Sequence, residues 1–328
     1  MPMNASATHR SRSRQRWLGW AKRIVTLAFF VLVVVLLFSL IRNVDWPAVA
    51  ETLRGYSLLT LAGGLVIAVA SYVAFSSYDL LGKRYTGHEL SVRQVLEVAF
   101  VCYAFNLNLG AWVGSLAMRY RLYTRLGLGV GTVTRVLSIS LIANWLGYML
   151  LAGTIFSFRL LELPRAWEIG ATGLQIIGFG LLGASLAYLL ACRFSKRRVW
   201  HVRGHEIVLP PLKLALMQAA LGAANWSLMA TLIYLLLPEE VFFPSVLGIL
   251  LISAIAGVIT HIPAGLGVLE AVFLALLQHR LATSEILAAL IGYRALYFLL
   301  PLAVAFLMFL VLERRGRKRK RAERVSDR

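Results

Sequence analysis

Apolar residues along this chain run in blocks much longer than one face of a soluble helix. Ile24–Ile41, Leu58–Leu81, Val136–Phe158, Thr172–Cys192, Leu212–Leu237 and Ser284–Leu312 are each nearly continuous in apolar character. A helix needs about 20 apolar residues, within a range of roughly 17–25, to cross the hydrocarbon core of a bilayer. The pattern therefore predicts six spanning helices. The first block follows a basic stretch, Arg10 to Arg23, as a signal peptide would. It exceeds the roughly 7–15 residues of a signal core, and Ser39-Leu40-Ile41-Arg42 offers no small-x-small cleavage site. It reads as a retained anchor.

Two further apolar segments are broken in the middle. Val92–Met118 is interrupted at Asn106-Leu107-Asn108-Leu109-Gly110-Ala111-Trp112-Val113-Gly114, and Pro244–Gln278 at His261-Ile262-Pro263-Ala264-Gly265-Leu266-Gly267. Clustered Gly, Pro and Asn end helices, and irregular backbone at membrane depth is tolerated only against protein or a wet cavity. Each segment is expected to be a re-entrant hairpin that enters and leaves on one side.

The cations test that expectation. With six crossings, two non-crossing hairpins and both termini inside, the cytoplasmic stretches hold six Lys/Arg in 1–23, three in 82–93, four in 118–135, six in 193–213 and nine in 313–328, or 28 of the 34. The outer stretches hold five (Arg42, Arg54, Arg159, Arg165, Arg280), and Arg294 lies inside a span. That is a strong positive-inside partition. The order of parts in the first half then repeats in the second with opposite orientation. The fold class expected is an all-α polytopic membrane protein, six spanning helices plus two re-entrant broken hairpins in an inverted-topology repeat. Its transmembrane domain covers 24–312, in halves of about 24–158 and 172–312, with basic cytoplasmic tails at 1–23 and 313–328. Many secondary transporters share that logic, with a site near the midplane where the broken helices meet.

Composition agrees. Hydrophobic residues make up 59% of the 328 and charged residues 15%, with a mean hydropathy of +0.74. Soluble domains have about 45–50% apolar and about 25% charged residues, so a soluble globular enzyme is excluded. The formal charge of +19 would suggest nucleic acid in a soluble protein; here it marks the inner membrane face. The basic tail Arg314-Arg315-Gly316-Arg317-Lys318-Arg319-Lys320-Arg321 is read as an orientation signal and anionic-lipid contact, not a nuclear address. Cys102 and Cys192 provide neither a disulfide framework nor a metal set.

An ionisable residue inside a span costs about 2.5–3.5 kcal/mol on insertion scales and is a functional hypothesis by default. Arg294 is such a residue, and its guanidinium suits a phosphate or carboxylate. The alternative is a buried structural pair with Glu270. Glycines at 265 and 267 allow close backbone approach, and a half-helix starting near Gly267 would aim free N–H groups at an anionic headgroup. Glu270 could cap that helix, neutralise Arg294, or bind a cationic headgroup. His261 reads first as a hydrogen-bonded packing residue, ahead of a proton relay. After the first break, Met118-Arg119-Tyr120-Arg121-Leu122-Tyr123 places cations and aromatics at headgroup level, mainly as topology markers. Asp79, just before Lys83 and Arg84, and Glu97, four residues after Arg93, read as interfacial ion pairs. Asn144-Trp145 and Asn225-Trp226 read as interhelical hydrogen-bonding positions.

Several enzyme signals fail. His88-Glu89-Leu90-Ser91-Val92 lacks the second histidine of a zinc-protease helix. Gly127-Leu128-Gly129-Val130-Gly131 follows no strand, and no glycine run leads to a phosphate-binding lysine. No nucleophile–base constellation is visible, so neither an enzyme nor a cofactor is expected. The loop Val199–Leu209 alternates enough for a small β-hairpin turning at Arg203-Gly204.

The chain also resembles the YbhN-like bacterial inner-membrane proteins, within the wider family of the lysylphosphatidylglycerol synthase transmembrane region, the flippase part of MprF. The residues that carry the resemblance are Cys102-Tyr103-Ala104-Phe105-Asn106-Leu107, Met118–Tyr123 with Arg125-Leu126-Gly127, and Asn144-Trp145-Leu146-Gly147-Tyr148. Ile259–Ala271, around Pro263-Ala264-Gly265-Leu266-Gly267 and Glu270, and Tyr293-Arg294-Ala295-Leu296-Tyr297 with Pro301 complete the set. The resemblance implies handling or movement of an anionic phospholipid at the bacterial inner membrane, in phospholipid or cardiolipin homeostasis. It adds Asn106, Arg119 and Tyr297 to the substrate-binding residues expected, which are Arg294, Glu270, Gly265, Gly267 and His261. The synthase proteins carry an aminoacyl-transfer domain after the membrane part; this sequence stops at Arg328, so lipid aminoacylation is not expected of it. The alternative is a structural or regulatory partner of envelope lipid-transfer proteins that transports nothing itself.

Overall fold

The structure, a computed structural model, describes residues 45–162, 168–195, 199–202, 205–238, 241–260 and 262–312. Two compact units are distinguished, Met1–Trp46 and Pro47–Arg328, and the fold described is that of the second. The first apolar block, His261 and both basic tails lie outside the described residues.

The chain runs through α1 (Trp46–Gly55), α2 (Leu58–Thr86) and α3 (Val92–Leu109), then a π-helical stretch (Ala111–Ala117) continuous with α4 (Met118–Arg125). It continues through α5 (Val130–Ser157), α6 (Glu168–Phe194), the strand pair β1 (Val199–Val202) and β2 (His205–Val208), and α7 (Leu212–Leu236). Next come α8 (Phe243–Thr260), a 3-10 turn (Pro263–Gly265), α9 (Val268–Leu277) and α10 (Thr283–Arg294). A π-helical stretch (Ala295–Leu299) carries α10 onward, so that one helix extends over Thr283–Leu312. The two strands pair antiparallel, Val199 opposite Val208 and Val202 opposite His205, as the alternation around 203–204 predicts.

Six described helices are long and apolar enough to cross a membrane. Five are the expected blocks: α2, α5, α6, α7 and the long helix from Thr283. The sixth is α8, whose 18 residues span about 27 Å at 1.5 Å per residue, close to the hydrocarbon thickness. It is the first limb of the second broken segment. Local signals set these boundaries. Ser57 caps α2 by accepting from the Thr60 N–H (3.0 Å), and Gly87 (φ 70°) closes it with a bond to the Lys83 carbonyl (2.8 Å). Ser91 and Gln94 form a reciprocal capping box that starts α3.

Both broken segments fold back on themselves. The first turns at Gly110, whose φ of 85° with ψ 168° is a conformation essentially restricted to glycine. Its returning limb lies so close to α3 that a Cβ on Gly114 would sit 2.0 Å from the Asn106 nitrogen. The second turns through Ala264 (φ 58°), Gly265 (φ 55°) and Gly267 (φ 77°), three left-handed residues in four positions.

The hairpins enter the bundle from opposite ends. Lys83 at the end of α2 donates to the carbonyls of His88 and Leu90 (2.8 and 2.6 Å), and Tyr120 and Thr134 share a hydrogen bond at the start of α5 (2.7 Å). Both limbs of the first hairpin thus end where α2 finishes and α5 begins. At the far end of α5, the Glu162 N–H donates to Ser245 at the start of α8, while its carboxylate pairs with Arg280 beyond α9 (2.7 Å). The core that holds the two ends together is very close packing of α5 on α7. A Cβ on Gly147 would lie 2.1 Å from the Gly222 backbone carbon, and one on Gly222 would lie 2.1 Å from the Ala143 carbonyl oxygen. Small residues at such a crossing let backbones approach, the usual means of helix association in lipid.

Candidate functional site

The turns of the two hairpins meet at one cavity of about 510 Å³. Its wall is Asn106, Leu107, Leu109 and Gly110 from the first turn and Ile262, Ala264, Gly265 and Leu269 from the second. Trp226 and Met229 of α7, one face of α8 from Leu250 to Val258 that includes Ser253 and Gly257, and Tyr293 and Phe298 complete it. Tyr293 and Phe298 lie at the middle of the helix Thr283–Leu312, so the cavity sits half-way along the spanning helices. A concave, mostly apolar pocket with a few polar groups is the ordinary form of a small-molecule site.

Glu270 and Arg294 stand beside this wall, behind the second turn. The Glu270 carboxylate accepts from the Gly267 N–H (2.9 Å), which caps α9 at its third residue, where a carboxylate also complements the helix dipole. The same carboxylate forks with Arg294, from Nε (2.5 Å) and Nη2 (3.1 Å). Arg294 donates further to the carbonyls of Ala264 (3.2 Å) and Gly265 (3.1 Å), and its guanidinium lies over the Phe298 ring at 5.4 Å. Four of its five N–H groups are thereby engaged. The structure thus gives Glu270 two of the three expected roles at once, helix cap and counter-ion. Arg294 itself does not form part of the wall; Ala264 and Gly265, whose carbonyls it holds, do. The pair remains partly open, with side chains 14% and 15% exposed.

A second ion pair was missed by sequence reasoning. Arg119 does not project to headgroup level. It is 1% exposed and forks onto Asp79 through Nε (3.1 Å) and Nη2 (2.9 Å). Ser115 (2.9 Å) and Ser140 (3.2 Å) accept its other bonds, and the Tyr123 hydroxyl donates to Asp79 (2.8 Å). The expectation that Asp79 pairs at the interface with Lys83 or Arg84, and that Arg119 marks topology or meets a headgroup, is therefore corrected. Lys83 turns instead to the loop carbonyls of His88 and Leu90. The physical reason is depth: the returning limb carries Arg119 back beside α2, where only a carboxylate can neutralise it. Asp79, an ionisable residue within a span, was the available signal. Arg93 and Glu97 do form the expected exposed pair (2.8 Å).

Tyr297 sits behind the cavity and not on its wall. Its hydroxyl bonds with Ser71 (2.7 Å) and Tyr103 (2.8 Å), and Ser71 donates to the Asn225 side chain (2.8 Å). Asn225 is thus an interhelical hydrogen-bonding residue, as expected, and Trp226 donates to the Asn144 carbonyl (3.3 Å). Pro301 explains the position of this network. Lacking an N–H, it leaves the Tyr297 carbonyl without its helical donor, and the Tyr72 hydroxyl supplies one (3.0 Å). Asn108 of the first hairpin also donates to the Phe298 carbonyl (3.3 Å).

Of the expected site residues, the structure thus puts Asn106 and Gly265 on the cavity wall, and Arg294, Glu270 and Gly267 immediately behind it. Tyr297 is in the supporting network, Arg119 is in a separate buried pair, and His261 lies outside the described residues.

Comparison with known proteins gives a consistent result. Residues 23–305 match the family described as the lysylphosphatidylglycerol synthase TM region. The chain is 48% identical to the inner membrane protein YbhN of Escherichia coli (strain K12), over 94% of this chain and 97% of that protein. It is 28% identical to an uncharacterized protein of Synechocystis, over the same shares. A phosphatidylglycerol lysyltransferase of Staphylococcus haemolyticus is 21% identical over 90% of this chain, which spans about a third (34%) of that protein.

Proposed function

This chain belongs to the lysylphosphatidylglycerol synthase TM-region family, and from that premise we propose that it is a non-enzymatic phospholipid translocase or lipid-transport factor of the bacterial inner membrane. The observation that carries the reading is the convergence of two broken helices, entering from opposite ends of the bundle, on one cavity half-way along it. Read as two re-entrant hairpins in inverted halves, this is the arrangement that lets one site face either side in turn.

In this reading the headgroup occupies the cavity while the acyl chains stay in the bilayer. An arriving phosphate stands one residue layer from Arg294 and competes with Glu270 for its guanidinium, a bidentate acceptor replacing a bidentate acceptor. Exchange would release Glu270 from Arg294 and loosen the turn that the pair holds closed through Ala264 and Gly265. Inner-membrane residence is supported by the name of the relative from Escherichia coli, and phospholipid as cargo by the family description and the name of the lysyltransferase relative.

Reconstitution into liposomes tests this. Tail-labelled phospholipid should exchange between leaflets with the wild-type chain, and Arg294→Ala and Glu270→Gln should each slow that exchange at least tenfold. Exchange unaffected by both substitutions would refute the site.

A further inference from the structure

We propose, on the reading that the cavity receives a phospholipid, that it selects headgroups carrying an O–H or N–H donor, through Asn106 Oδ1 and the Tyr293 hydroxyl. Both residues form part of the cavity wall. Both atoms are buried without a hydrogen-bond partner, and Tyr293 as a whole is only 1% exposed. Most buried side-chain polar atoms find a partner, because leaving one unmet costs its full desolvation. Two such atoms, carried by residues that line one cavity, point to a ligand that completes them once the wall opens to it.

Neither residue is placed to find a partner elsewhere. The Tyr293 ring stacks on Tyr297 (5.3 Å between centroids, 13° between planes) and meets the edge of Phe298 (5.6 Å, 74°). Asn106 is fixed by its backbone, whose carbonyl accepts from Gly110 (2.9 Å) and whose nitrogen faces Gly114 across the turn. The chemistry of the two atoms then restricts the ligand. A hydroxyl can give or take a hydrogen bond, but an amide oxygen only accepts. A phosphodiester alone brings only acceptors and leaves Asn106 Oδ1 unmet. A hydroxyl-bearing or primary-ammonium headgroup satisfies both atoms, whereas a trimethylammonium headgroup carries no donor. Net charge does not decide between them, since Glu270 already neutralises Arg294.

The purified full-length chain, titrated with dihexanoyl phosphatidylglycerol, phosphatidylethanolamine and phosphatidylcholine below their micellar concentrations, tests the proposal. Phosphatidylglycerol and phosphatidylethanolamine should bind with similar affinity, each about tenfold tighter than phosphatidylcholine, the factor set by one unmet buried hydrogen bond. Asn106→Leu should bring the first two to the level of the third, whereas Tyr293→Phe, which removes a hydroxyl that a phosphate oxygen also satisfies, should weaken all three alike. Equal affinity for all three in the wild-type chain overturns the proposal and leaves the phospholipid reading standing, and so does a preference that survives in Asn106→Leu. Absence of binding to any of the three refutes the phospholipid reading itself. The wild-type comparison needs no variant, so a substitution that fails to fold leaves the test intact.

Discussion

Asp79→Asn and Glu270→Gln are the same chemical change at two forked arginine pairs, and the structure gives them very different costs. Asp79 is 0% exposed and accepts three charge-assisted or hydroxyl bonds, from Arg119 Nε, Arg119 Nη2 and Tyr123. Removing its charge strands a guanidinium whose side chain is 2% exposed. Breaking one side of such a pair costs about 3–5 kcal/mol, mostly because the remaining charge stays buried. Glu270 is 15% exposed, and after substitution the Arg294 guanidinium keeps the carbonyls of Ala264 and Gly265. A glutamine there still accepts from the Gly267 N–H, so the loss is about 1–2 kcal/mol. At roughly 2 °C per kcal/mol for a chain of this size, the melting temperature of the detergent-solubilised protein should fall by about 6–10 °C for Asp79→Asn and by about 2–4 °C for Glu270→Gln.

Thermal melting followed by intrinsic fluorescence, with residual folded protein checked by size-exclusion chromatography, measures both. The double substitution Asp79→Leu with Arg119→Met separates stranded charge from lost packing. It should recover most of the single-variant loss, since apolar replacement of a whole buried pair is often neutral or stabilising. A melting temperature lowered equally by the two single substitutions, or a double variant as unstable as Asp79→Asn, would refute the distinction between a sealed pair and an open one.

Two further predictions concern parts of the fold away from the cavity. Both ring nitrogens of His88 are buried without partners, and burial, then the repulsion of Lys83, hold its pKa below the ordinary 6.5 despite a smaller opposing pull from Asp79. The unfolded chain then binds the proton more readily, so the contribution of His88 is complete above about pH 6.5 and is lost as pH falls from there through the lower folded value. Melting scans from pH 8 to 5 should show this decline, and His88→Phe should flatten it. Gly147→Ala and Gly222→Ala each place a methyl 2.1 Å from backbone of the opposing helix; each should cost about 1–3 kcal/mol as α5 and α7 are forced apart, read as a lower melting temperature.

The sequence made the periodic features readable and the pairwise ones hard to read. The blocks at 58–81, 136–158, 172–192, 212–237 and 284–312 recur as helices with ends shifted by a few residues, because length and continuous apolarity are local properties. The fold-backs were legible for the same reason: Gly110 and the Ala264–Gly267 turn occupy backbone conformations that the glycines around them announce. Glu270 and Arg294 were placed near each other, but their sharing of the Gly267 cap was one of several open alternatives. Arg119 was misread because counting cations by loop assumes that every cation at a helix end faces water. Whether it does depends on which helix the returning limb lies against, and that is decided by Gly114 packing on Asn106 and by Ser140 of α5 accepting from Arg119.

The two pairs differ in more than exposure, and the difference assigns them separate work. Each hairpin is tied to the surrounding bundle by one forked arginine–carboxylate pair. In the first hairpin the arginine is on the returning limb and the carboxylate on α2; in the second the carboxylate is on the limb and the arginine on the long final helix. The first tie is sealed by two serines and a tyrosine, so no ligand oxygen reaches it without dismantling the core. The second is backed by two carbonyls of the turn it holds, by the Gly267 N–H and by the Phe298 ring, and those carbonyls belong to cavity-wall residues. On the proposed function, an anion in the cavity can exchange with the carboxylate of the second pair and not with that of the first. The first hairpin also supports the final helix, through Asn108 and the Phe298 carbonyl that the π-helical stretch presents. If the cavity is the binding site proposed, the first hairpin braces the helix bearing Arg294, and the turn that this arginine holds is the element on which binding energy can act.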